Sequence, residues 1–138
     1  MKDLERAKER LTLSSCVLAK GERVKEMSGK GVSPLLLLID SGEDFSGFAA
    51  ADKVVGRAAA FLYILLKVKS VYADVMSKGA LKILKNANIY AEYGVLTENI
   101  RRPDGQLCPM EEAVSGETEA QAAAERIRER VRSLQKNV

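Results

Sequence analysis

Residues 53–67 constrain the fold most. Val54, Val55, Ala58, Phe61, Leu62, Leu65 and Leu66 recur there at helical spacing and leave little polar face. A helix that is apolar all round must be covered on every side. The uncharged run from Ala58 to Leu66 is bracketed by Arg57 and Lys67. It falls far short of the roughly 20 residues that cross a membrane, so the rest of the chain has to supply the cover. Gly56, Ala59 and Ala60 are small and would let this helix approach a sheet closely.

The flanking segments supply such a sheet. Ser15–Ala19 and Arg23–Met27 read as a hairpin turning at Lys20-Gly21-Glu22. Ser33-Pro34 suits a helix start, and a short buried helix over Leu35–Ile39 up to Ser41-Gly42 is the preferred reading, although a strand fits the apolar run almost as well. Phe48–Ala51 is expected as a short strand leading into Asp52, where the central helix is expected to begin. Strands at Ser70–Met76 and Ile89–Tyr93 enclose a helix over Lys78–Ala87. Strands alternating with helices indicate an α/β architecture with parallel pairing in the second half. Leu4, Ala7 and Leu11 mark a short opening helix, and Pro109 starts another. A capping box at Thr118–Gln121 precedes a final helix striped by Ala120, Ala124, Ile127, Val131 and Leu134. One domain over 1–138 is expected, with a core at about 14–115 and a C-terminal helix at about 118–136.

The chain contains no histidine and two cysteines, Cys16 and Cys108. That excludes serine–histidine and cysteine–histidine catalysis, imidazole metal sites and a four-thiolate zinc site. Only a carboxylate-held metal stays open, and neither a metal site nor a cofactor is expected. The charge-alternating N-terminus has no apolar signal core, and two thiols suit a reducing compartment, so a cytoplasmic location is expected. A net charge of +3 is too weak by itself to indicate nucleic acid.

Four blocks carry a resemblance: Gly31-Val32-Ser33-Pro34-Leu35, Ala51–Ala60, Val71-Tyr72-Ala73 and Cys108–Ala113. Together they resemble an uncharacterised prokaryotic family whose fold is similar to that of cytidine deaminases. The resemblance implies a three-layer α/β/α sandwich with a mixed sheet, and it implies no activity. The hairpin–helix–strand–helix–strand order agrees with it. In deaminases of that fold, zinc ligands and a catalytic glutamate sit where two helices begin, because zinc activates the attacking water and the glutamate moves its proton. Here the expected helix starts read Ala51-Asp52-Lys53 and Met76-Ser77-Lys78-Gly79-Ala80, without His or Cys. Zinc-dependent deamination is therefore not expected even if the fold is kept.

The same starts hold the candidate ligand-binding residues, Asp52, Lys53 and Ser77. Asp52 would either cap the central helix or line a crevice at the carboxyl ends of the strands. Lys53 could meet an anion with help from the helix dipole. Ser77 stands at a lost zinc-site position and would bind a ligand or cap the next helix. Cys108 and Glu111 are the candidate catalytic pair. A thiol preceding a helix can be acidified, although a buried cysteine beside a capped turn is the plainer reading. Arg101 and Arg102 could meet a phosphate or simply be solvated. Arg126, Arg128, Arg130 and Arg132 interleave with Glu125 and Glu129 as a solvated face with local ion pairs.

Three functions are in competition. The first is a non-zinc deaminase-like domain that binds a small molecule, with a nucleotide-like ligand as the candidate. The second is an enzyme using Cys108 as nucleophile or redox group. The third is an interaction module assembling through its terminal helices, with a second copy of the chain as partner.

Overall fold

The computed structural model describes residues 2–12 and 14–136; positions 1, 13, 137 and 138 of the expected domain lie outside them. The hairpin forms as read. Strands β1 (Cys16–Lys20) and β2 (Arg23–Met27) pair antiparallel, and Gly21 takes the left-handed turn position at φ 59°. Strand β3 (Ala49–Val55) pairs antiparallel with β1 and parallel with β4 (Ser70–Ser77), which pairs parallel with β5 (Tyr90–Thr97). The result is a mixed five-stranded sheet in the order β2-β1-β3-β4-β5.

Strand alternation divides the apolar residues between two faces. Val17, Ala19 and Ala51 face one side, where Ala7 and Leu11 cover them from helix α1 (Lys2–Glu9) and the residues just after it. Cys16, Leu18, Ala50, Val71 and Ala73 face the other side. That side holds the main core, built with α2 (Ser33–Asp40), α3 (Arg57–Leu66), α4 (Lys78–Asn86) and α6 (Ala120–Lys136). Helix α3 is the central one. Seven of its ten residues are buried, as its all-apolar sequence requires.

The start of α3 differs from expectation. Residues 53–55 belong to β3, and the helix begins at Arg57. Asp52, Val54 and Val55 are held in the strand by pairing with Ala73, Val75 and Met76. Two consecutive β-branched valines suit this extended conformation, and an apolar run reads equally as helix or strand when taken alone. Asp52 and Lys53 are therefore strand residues, and Asp52 caps no helix.

Both terminal helices are integral to the domain, so the buried core extends beyond 14–115. Leu4 and Ala7 are buried from α1, and Ala123, Ala124 and Ile127 from α6. Helix α6 is also tied down by Arg128, whose guanidinium donates twice to Asp40, at 2.7 and 3.1 Å, and by an Arg126–Glu117 ion pair. Such exposed pairs contribute little, so burial holds the helix. Accordingly, Ile127→Ala should cost about 2–4 kcal/mol in urea denaturation, by cavity formation. Leu134→Ala, at a side chain already 44% exposed, should stay within about 0.5 kcal/mol.

Candidate functional site

Strands β3 and β4 run parallel, so α3 and α4 both start beyond the same edge of the sheet. At the start of α3 the N-cap is Gly56, which has no side chain to satisfy the first amides. Glu111 does so instead. Its Oε1 accepts from the Arg57 amide at 2.8 Å and its Oε2 from the Ala58 amide at 2.9 Å. The carboxylate thus sits against the positive end of the α3 dipole while only 4% of the residue is exposed. Glycine is required at 56 for space, since a Cβ there would lie 2.7 Å from the Glu111 carboxylate. Glu111 itself belongs to the short helix α5 (Pro109–Ala113), so it caps a distant helix and not its own.

The second helix start is closed locally. Ser77 is buried, and its Oγ accepts from the Ala80 amide at 3.1 Å, capping α4. The Arg57 stem lies against the next turn, where a Cβ on Gly79 would come within 2.7 Å of Arg57 Cδ. Arg57 therefore links the two helix starts, while its Nε stands 3.8 Å from Glu111 Oε1.

Beside the α3 start lies a cleft of about 250 Å³. Its walls are largely apolar, formed by Val32, Val54, Ala58, Ala59, Ile100 and Met110. Ser15, Asp52, Lys53, Cys108 and Glu111 supply the side-chain polarity. Four of the five candidate residues thus converge on one cleft. Ser77, the fifth, is spent as the cap of α4. Lys53 also lines the cleft, as an exposed residue of β3.

Asp52 is anchored from beneath. Its Oδ2 accepts a hydrogen bond from the Tyr63 hydroxyl at 2.6 Å, and its Oδ1 accepts from the Val54 amide at 3.3 Å. Desolvation pushes the Asp52 carboxyl up from 3.8 to about 6, against the opposing pull of these hydrogen bonds. Cys16 lies opposite Asp52 in the β1–β3 register. Burial, followed by the Asp52 charge, pushes its thiol up to about 12. Burial likewise raises the Tyr63 phenol, with Asp52 adding to the effect. Tyr63 was not evident as a site residue from sequence. The signal was there: a phenol within an otherwise apolar helix needs a buried partner.

Other candidates serve local structure. Arg101 Nη1 donates to the Gly105 carbonyl, and Arg102 pairs with Asp104 in the same turn. Cys108 is half-buried at the N-cap of α5 and makes no side-chain cap bond. Among the described residues, no three of His, Cys, Asp and Glu cluster as a metal site would need. None of the described helices is long and apolar enough to cross a membrane.

These features define an α/β domain with a mixed sheet and one small, mainly apolar cleft beside the start of its central helix. Residues 7–131 match the family described as TM1506, a domain of unknown function (DUF1893), and the chain belongs to that family. The fold is similar to the crystal structure of a DUF1893 family protein (TM1506) from Thermotoga maritima. The TM-score is 0.81 at 26% identity, covering 96% of this chain and 91% of that one. Among curated proteins, none matches.

Glu111→Ala should destabilise the domain by about 3 kcal/mol, because two charge-assisted bonds to buried amides are lost. Gly56→Ala should cost less in the Glu111→Ala background than in the wild type, and a double-mutant cycle should give a coupling of about 1 kcal/mol or more. The Asp52 carboxyl should titrate near 6 by carbon-13 NMR, and Tyr63→Phe should move it higher by removing a bond to the charged form. Because folding raises this group, its contribution to stability is full below 3.8 and is lost as pH rises through about 6.

Proposed function

We propose that this protein is a small-molecule-binding domain of deaminase-like fold that does not carry out zinc chemistry. One observation carries the reading: Asp52 and the Cys108–Glu111 block, far apart in sequence, line a single cleft. A concave, largely apolar site with a few convergent polar groups is what a small ligand requires. The order of hairpin, helix, strand, helix and strand supports the deaminase-like assignment, as a three-layer sandwich with α1 on one side of the sheet. The helix starts, corrected to Gly56-Arg57-Ala58 and Ser77-Lys78-Gly79, still lack the His and Cys that zinc chemistry would need.

The rival readings find less support. Cys108 faces the same cleft, but the nearest expected base, Glu111, has both oxygens committed to the α3 amides. Assembly through the terminal helices has little apolar surface to use, since their stripes are largely buried within the domain.

A thermal-shift screen of nucleosides and nucleotides, followed by amide NMR, tests the binding reading. A ligand of the folded state should raise the melting temperature and shift the Asp52 and Cys108 amides. Silence across the set at millimolar concentration would remove the nucleotide-like ligand from consideration.

A further inference from the structure

We propose that the cleft selects a neutral or cationic nitrogen compound that presents an N–H donor to Asp52, and that it turns anions away. This rests on the reading above that the cleft binds a small ligand, and it names the chemical class.

The reason lies in which groups are already engaged. A helix start is ordinarily an anion site, because its free amides and its dipole favour negative charge. At α3 that site is filled by the protein's own Glu111, bound to the Arg57 and Ala58 amides. At α4, Ser77 takes the Ala80 amide and Arg57 covers Gly79. Lys53 also lines the cleft, but as an exposed residue its attraction for an anion is weakened by water. An anion in the cleft would therefore find two acidic side chains, Asp52 and Glu111, within apolar walls. It would give up hydration for no more than the exposed Lys53 ammonium.

A donor meets the reverse situation. The Tyr63 hydroxyl holds Asp52 Oδ2, Oδ1 accepts the long bond from the Val54 amide, and the Lys53 amide also bonds to the carboxylate. A carboxylate can accept about four hydrogen bonds, so capacity for another donor remains, and a charge-assisted bond in apolar surroundings is stronger than a neutral one. The groups facing Asp52 are Cys16 from β1 and Tyr63 from α3, with the charge of Asp74 on β4 further away. Cys16 and Tyr63 both stay protonated near neutrality, so Asp52 is the group among them that changes charge there. From α5, Glu111 and Cys108 line the same space. About 250 Å³ admits a fragment-sized molecule and not an extended one.

The isosteric series benzamidine, benzamide and benzoate separates the charge states at constant shape. Binding is followed by amide NMR titration of the full chain at pH 7.5. Benzamidine should bind tightest and benzoate weakest, with about a tenfold span, the order of one charge-assisted contact. Asp52→Asn should erase the advantage of benzamidine over benzamide. Lowering the pH of the unmodified protein to 5 should do the same, which keeps the test independent of how the variant folds. Benzoate binding as tightly as benzamidine, or a preference indifferent to both Asp52→Asn and pH, would overturn the proposal. If none of the three binds while a nucleoside or nucleotide occupies the cleft, the donor preference fails and the binding reading stands. If every probe is silent, both fail.

Discussion

The carboxylate of Glu111 on the first amides of α3 organises this molecule. A helix that begins on glycine has no cap of its own, and its buried amides need an acceptor from elsewhere. Here the acceptor comes from a residue 54 positions away. That one contact fixes glycine at 56, brings α5 against the central helix and sets Arg57 toward Gly79 at the start of α4. The two helix starts and the Cys108–Glu111 block are thus positioned as a unit. A change at any of them should be felt by the others.

The same contact sets the electrostatics of the cleft. By filling the α3 start, Glu111 converts an ordinary anion site into a wall that carries negative charge. The other carboxylate of the cleft is Asp52, held from beneath by a fully buried tyrosine and placed opposite a buried thiol. Apolar walls raise its proton affinity, and Tyr63 limits how far. On the reading proposed, the charge preference of the cleft comes from groups already satisfied within the protein as much as from those left open.

Much of the fold was legible in the chain because period-two and helical patterns differ where polar residues interrupt them. The β1–β2 hairpin, β4 and α4 appear within a residue or two of where their patterns place them, and the structure makes α2 a helix where the apolar run fitted helix or strand. Legibility failed where apolar residues run together. Val54 and Val55 fit a helical stripe and a strand equally, so the end of β3 was read as the beginning of α3. β5 extends to Thr97, beyond the expected Tyr93, because its pairing with β4 continues through Ser77. Of the two readings of Asp52, the helix cap is the one that fails: Asp52 lies in β3 and accepts from Tyr63.

The sequence by itself determined the α/β class, the buried character of the central helix and the absence of zinc-binding residues at either helix start. These follow from local periodicity and composition, which each segment carries alone. Only the tertiary structure decided that Glu111 caps α3, that Tyr63 holds Asp52 and that Cys108 shares their cleft. Those contacts join residues 11 to 54 positions apart. Their existence depends on how strands and helices stack, and no single segment encodes that.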